Sequence, residues 1–267
     1  MTFTKKVPLM LLIVLALPSL WAQNRFALVI GNANYNDPSI TTLPNAINDT
    51  NDITTALRNL GFETVLRQNL TQREMSRELD TFTAKLRSNR NSEGFFWYAG
   101  HAMEINGVNF LLPSDVDLSS ERLIRDTSCS ATDLAKELEG IQNKLNVIVL
   151  DACRTPPSIG GERGRGAGDV TRLIKTIPVD TADLLIVYST ASGAEALDGN
   201  GNNSPFTEAF LKHIYSTESL LYMLAEVRDE TRSLTDRRQT PYYSGNLGSA
   251  NVRYSLNSTG VRPASPR

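Results

Sequence analysis

Short apolar runs alternate with amphipathic stretches along most of this chain. Arg25-Phe26-Ala27-Leu28-Val29-Ile30-Gly31 is a continuous apolar run ending in glycine, the composition of a strand buried on both faces. Phe62 to Leu66, Gly94-Phe95-Phe96-Trp97-Tyr98, Asn146-Val147-Ile148-Val149-Leu150 and Leu184-Leu185-Ile186-Val187-Tyr188 repeat the pattern. Between them the period lengthens. Ile53, Leu57 and Leu60 follow helical spacing and Gly61 predicts the stop. Thr71-Gln72-Arg73-Glu74 is a capping box, opening a helix with the apolar stripe Met75, Leu79, Phe82 and Leu86. Further helices are predicted near Thr132 to Ile141, from Ser204-Pro205 toward Ile214, and through Leu220, Leu224, Val227, Thr231 and Leu234. Asn106-Gly107 predicts the turn of a hairpin between Glu104 and Leu112. Asn32 to Pro44 reads as a loop, and Val252-Arg253-Tyr254 as a closing strand.

Strands alternating with helices predict an α/β fold, with a mostly parallel central sheet between helices on both faces. Ligands of such sheets sit outside the carboxyl ends of the strands. Gly100-His101 and Asp151-Ala152-Cys153 both fall at such ends.

Charge narrows the partners. The net charge is −2 and no long basic run exists, so neither nucleic acid nor an anionic membrane surface is expected. The N-terminus stands apart: Lys5-Lys6, an apolar stretch from Val7 to Leu17, then Pro18-Ser19-Leu20-Trp21-Ala22. This is the layout of a secretory signal, with cleavage expected after Ala22 and export to the periplasm or outside the cell. Its apolar run, about 11 residues, falls short of the roughly 20 that span a bilayer. An uncleaved anchor is the alternative; with the signal removed, no stable membrane span is expected. Two histidines and two cysteines, without a Cys-x-x-Cys spacing, disfavour a zinc centre. Cys129 and Cys153 would suit a disulfide in an exported protein, but Cys153 has a better use, which leaves Cys129 a non-catalytic thiol.

That use comes from spacing. Cys153 lies about 50 residues after His101, each ending an apolar strand, as a thiol nucleophile and its imidazole do in the caspase signature. Here Asp151 stands where that signature has Gln, and Thr155 where it has Gly. The segments Phe26 to Asn32, Tyr98-Ala99-Gly100-His101, Asn109-Phe110-Leu111-Leu112-Pro113, Val149 to Arg154, Tyr188-Ser189-Thr190-Ala191, Gly193-Ala194-Glu195-Ala196 and Asn203 to Thr207 complete the pattern. In order and spacing the chain resembles the caspase-like cysteine peptidases, in the metacaspase and paracaspase branch found in bacteria. The resemblance covers about Arg25 to Leu247.

It implies a caspase-like three-layer sandwich over residues 23–258. A large-subunit-like part (about 23–158) and a small-subunit-like part (about 181–258) would flank a flexible Gly/Arg loop at about 159–180. Residues 1–22 are the expected signal and 259–267 a disordered tail. It implies Cys153 as nucleophile and His101 as general base and acid. A thiol attacks as thiolate and an adjacent imidazole takes its proton. The backbone amides of Cys153 and Ala102 would hold the oxyanion. Relatives usually carry glycine at the Ala102 position. Asp49, Asp151 and Glu195 match the carboxylates that line the pocket of the basic-preferring branch, which suits a guanidinium. A helix N-terminal charge is the other reading of Asp49, and a solvated loop acid that of Glu195.

A peptide or protein substrate cut after Arg, with Lys second, is therefore expected. Arg163 and Arg165 are candidate self-cleavage points, a plain surface loop being the alternative. No cofactor is required. Calcium activates parts of the family, and Asp115, Asp117 and Asp126 are available acids, but their spacing identifies no calcium loop. The competing reading is a catalytically idle caspase-like scaffold that binds proteins. A flavodoxin-like nucleotide binder lacks its glycine-rich phosphate loop. His213, read as mid-helix and near the surface, is expected to be inert.

Overall fold

The computed structural model describes residues 24–152, 176–178, 183–191 and 196–261. The expected signal, Cys153, Arg163, Arg165 and Glu195 lie outside the described residues.

Six strands form the central sheet: β1 (Arg25–Gly31), β2 (Glu63–Gln68), β3 (Glu93–Gly100), β7 (Leu145–Ala152), β8 (Leu184–Tyr188) and β9 (Tyr242–Asn246), in the order β2-β1-β3-β7-β8-β9. All neighbours are parallel except β8 and β9. The continuous apolar runs are explained by cover on both sides. Phe95, Trp97 and Val149 meet α1 (Pro44–Asn59), α5 (Pro205–His213) and α6 (Leu220–Leu234). Phe96, Tyr98 and Leu150 meet α2 (Gln72–Arg87) and α4 (Ala131–Gly140). This is the expected three-layer α/β sandwich. The capping box of α2 is present, with Glu74 N–H donating to Thr71 Oγ1 and Thr71 N–H to Glu74 Oε2.

The hairpin is real: β4 (Ala102–Ile105) and β5 (Val108–Leu111) pair around Asn106 and Gly107, both at positive φ. It belongs to a second, three-stranded sheet completed by the two-residue β6 (Cys129–Ser130), which follows a short α3 (Glu121–Asp126). Elements this short leave no hydrophobic period to read.

The closing strand is a correction. Val252-Arg253-Tyr254 is not a strand; the antiparallel edge is β9, whose Tyr-Tyr-Ser-Gly-Asn sequence is half exposed and carries no apolar alternation. Tyr254 instead plugs the opposite end of the sheet. Its hydroxyl donates to Glu93 Oε2 at 2.7 Å and accepts from Arg25 Nη2 at 2.8 Å. Arg25 and Lys144 both pair with Glu93. Burial raises the Glu93 pKa, but Arg25, then Lys144 and Tyr254, outweigh it and hold the carboxyl below its ordinary range. This network ties the starts of β1, β3 and β7 together and leaves their other ends for the site. His213 closes α5 rather than lying within it, half-buried beside Glu230. No helix among the described residues is long and apolar enough to cross a membrane.

Candidate active site

The register of β3 against β7 ends with Gly100 opposite Ala152. The chain leaves these two tips as His101 and Cys153. His101 is buried, and its surroundings account for its orientation. Nε2 lies 2.8 Å from the Thr41 carbonyl oxygen. A carbonyl only accepts, so Nε2 carries the proton, and in the neutral ring Nδ1 holds the basic lone pair. The ring packs against Tyr35, centroids 5.2 Å apart. His101 N–H donates to Tyr35 Oη at 2.9 Å, and that hydroxyl donates to the Asn32 carbonyl at 3.0 Å. On the other side the His101 carbonyl accepts from Tyr98 Oη at 2.8 Å and Leu112 N–H at 3.0 Å. Burial, with Tyr35 adding to it, pushes the Tyr98 phenol well above its ordinary range, so it stays a donor.

Glycine at position 100 has a steric cause. A Cβ there would sit 2.6 Å from Tyr98 Oη and 3.1 Å from the Asn32 carbonyl oxygen. Ala102, next to the histidine, does not have positive φ, so alanine is unstrained where glycine was expected. Pairs in an antiparallel ladder alternate between bonded and non-bonded. Leu112 N–H donates to the His101 carbonyl, so the adjacent Ala102–Leu111 pair is the non-bonded one. The Ala102 N–H therefore lies outside the β4–β5 ladder.

Asp49 and Asp151 are both wholly buried and meet at one residue, Ser204, the N-cap of α5. Ser204 N–H donates to Asp49 Oδ1 at 3.0 Å. Ser204 Oγ donates to Asp151 Oδ2 at 2.6 Å, and Thr207 Oγ1 donates to the same oxygen at 3.0 Å. The reading of Asp49 as a charge at its own helix start is corrected: α1 has no acid in its first turn, and Asp49 serves the start of α5 instead. Both carboxylates thus sit at the N-terminal end of α5, bonded to its first residues. Asn45, Asn48 and Asp52 extend the attachment, reaching Asp198, Asn202 and Asn203. With Asp49 they form a polar stripe at i, i+3, i+4 and i+7, a legible signal that the apolar reading of α1 overlooked. Thr41 offers only its backbone, so its role leaves no trace in side-chain identity.

Cys129 is free and buried, 3.6 Å from Ser76 Oγ. Burial pushes its thiol up, and Asp115 and Asp80 add to this against the Ser76 hydrogen bond. The three acids considered for calcium are engaged elsewhere: Asp115 accepts from Gln72 N–H, Asp117 from Ser119 N–H, and Asp126 pairs with Arg122. Among the described residues no group of three or more His, Cys, Asp and Glu side chains gathers as metal ligands would.

The family model described as the caspase domain matches residues 24–251. The chain is 27% identical over 213 residues to human mucosa-associated lymphoid tissue lymphoma translocation protein 1, covering 78% of this chain and 24% of that protein. It is similar to the same degree, 27% over 213 residues, to the homolog from Mus musculus. The chain thus spans 24% of the length of the curated relatives it matches.

Proposed function

The chain belongs to the caspase-domain family of cysteine peptidases, and from that premise we propose that it is an endopeptidase that cuts after Arg, with Lys second, through a His101–Cys153 dyad. The observation that carries this reading is the last register pair of β3 and β7, with His101 leaving one tip oriented by Thr41 and Cys153 following the other. Consecutive Cα atoms are about 3.8 Å apart, so covalent continuity alone keeps the two residues near neighbouring strand ends.

In the proposed reaction Nδ1 of His101 takes the Cys153 thiol proton as Sγ attacks the scissile carbonyl carbon. The oxyanion is held by the N–H groups of Cys153 and Ala102, each such donor lowering the barrier by about 3–4 kcal/mol. The imidazolium gives its proton to the leaving amine, and the C–N bond breaks to leave a thioester. His101 then deprotonates a water that attacks the thioester, and the thiol and the new carboxyl are released.

Asp49 and Asp151 support the basic preference. α5 holds both rigidly, so a substrate guanidinium would meet two oriented carboxylates rather than reorganise them. Glu195 is proposed as the third. The Lys5–Ala22 segment supports export, to the periplasm or outside the cell. The deciding experiment is hydrolysis of a fluorogenic Arg-ended peptide, with and without calcium, against Cys153→Ala. Turnover lost in the variant is the expected result. No turnover by the wild type in either condition would favour the idle-scaffold reading.

A further inference from the structure

Gln239 is wholly buried on the connection from α6 to β9. The turn that delivers it is unusual: Asp236 and Arg237 both sit at positive φ, 50° and 62°. Residues with side chains avoid that region, and such conformations persist where the surroundings over-determine them. Thr235 Oγ1 accepts the Gln239 N–H at 3.1 Å and closes the turn.

The side-chain amide then bridges two stretches of chain. Nε2 donates to the Ser189 carbonyl at 2.8 Å, and Oε1 accepts the Leu197 N–H at 3.1 Å. A carbonyl needs a donor and an N–H an acceptor, so the orientation of the amide is unambiguous. Ser189 belongs to the frame of the site. Its N–H donates to the Leu150 carbonyl at 3.1 Å and its Oγ to the Ala152 carbonyl at 3.5 Å. Ala152 directly precedes Cys153, and Leu197 follows Glu195 by two positions.

We propose that Gln239 is a positioning residue of the peptidase site: its amide staples Ser189, which backs the nucleophile-bearing tip of β7, to Leu197, where the chain leaves the segment carrying Glu195. One side chain thus sets the spacing between the end of β8 and Leu197. The proposal rests on the dyad reading above.

Gln239→Met keeps the volume and deletes both hydrogen bonds. In the purified full chain, kcat on the Arg-ended peptide, counted per mole of Cys153 alkylated by iodoacetamide, should fall about 10- to 100-fold. The preference for Arg over Lys should narrow with it. A purely structural role would lower the unfolding midpoint while leaving both quantities unchanged for the folded molecules, and that result overturns the proposal. Should Gln239→Met fail to fold, Gln239→Glu keeps the shape and an acceptor for the Leu197 N–H while deleting the donor to the Ser189 carbonyl. A reduced Arg preference then supports the staple and an unchanged one overturns it. Wild type and Cys153→Ala run in the same assay. An inactive wild type overturns the peptidase reading and the staple with it, whereas an active wild type with indifferent variants overturns the staple alone.

Discussion

Gly100 and Ala152 face each other as the final register pair of two parallel strands, and the proposed dyad residues are the next in each chain direction. Nothing else in the described molecule brings the histidine and cysteine segments together so directly. His101→Ala and Cys153→Ala are each expected to lower kcat about 10⁴-fold or more, with the double variant little worse, because residues acting as a unit are not additive. Thiol chemistry offers a second measurement. Burial raises the Cys129 thiol pKa, so native wild type should take up one equivalent of iodoacetamide near neutral pH and Cys153→Ala none. Labelling of Cys129 at a comparable rate would contradict this.

The tightness around Gly100 yields a second prediction. An added Cβ meets Tyr98 Oη at 2.6 Å, and that hydroxyl is not loose, since its one O–H is shared between the His101 and Leu112 carbonyls. Gly100→Ala should therefore destabilise by about 1–3 kcal/mol through overpacking and lower kcat by shifting His101. Tyr98→Phe removes the hydroxyl and costs only about 1 kcal/mol. Urea unfolding and steady-state kinetics on the two variants check the ranking.

Much of this frame was legible in the chain. Phe95-Phe96-Trp97-Tyr98 reads as a doubly buried strand because consecutive side chains go to opposite faces and both faces are covered. The Ser204-Pro205 start of α5 was equally plain, since capping is local chemistry. What escaped was contact between segments distant in sequence. The Thr41 carbonyl acts through the backbone, and Gln239 is an ordinary polar residue until β8 and Leu197 are folded around it. β9 is not legible, and Val252 to Tyr254 has the more strand-like composition, because pairing with β8, not apolar alternation, makes that edge a strand. Of the candidate site, His101, Ala102, Asp49 and Asp151 occupy described positions.

Asp151 has one observed role, holding the start of α5, and one proposed role in the basic pocket, and substitution can separate them. Asp151→Ala strands the hydroxyls of Ser204 and Thr207, so it should cost about 2–4 kcal/mol of stability in addition to any loss of activity. Asp151→Asn keeps the shape and an acceptor oxygen while removing the charge. It should stay folded, lose about 10- to 100-fold in kcat/KM on an Arg-ended peptide, and discriminate poorly between Arg and citrulline. Full turnover of the Arg-ended peptide by a folded Asp151→Ala or Asp151→Asn would end the basic-pocket reading.

Glu93 gives the fold an acid limit. Its folded pKa is depressed by Arg25, Lys144 and Tyr254 despite burial. A depressed carboxyl contributes stability above its unfolded pKa, about 4.3, and loses it as pH falls through the folded value. The thermal midpoint should therefore drop as pH falls below about 4.3. Glu93→Gln, weaker by about 3 kcal/mol at neutral pH, should show a shallower decline over the same window. Parallel curves would assign the acid limit to other groups.

Self-cleavage at Arg163 or Arg165 would fall in the connection between β7 and β8, and the sheet explains why a cut there need not dismantle the molecule. β8 is held between β7 and β9 by ladders that do not depend on that connection, with partners running from Asn146–Leu184 to Leu150–Tyr188 on one side. Past the loop, Ile177 is buried and its N–H donates to Tyr188 Oη at 2.9 Å, anchoring the downstream piece on the same strand. Purified wild type is expected to give two masses that sum to the whole, with the break after Arg163 or Arg165, yet to elute as one species in gel filtration. Cys153→Ala should give one mass, as should wild-type sequence carrying both Arg163→Ala and Arg165→Ala. An unbroken wild type indistinguishable from Cys153→Ala would reject processing while leaving cleavage of other substrates untouched, because the loop is a substrate only if it can reach the site of its own or a neighbouring molecule.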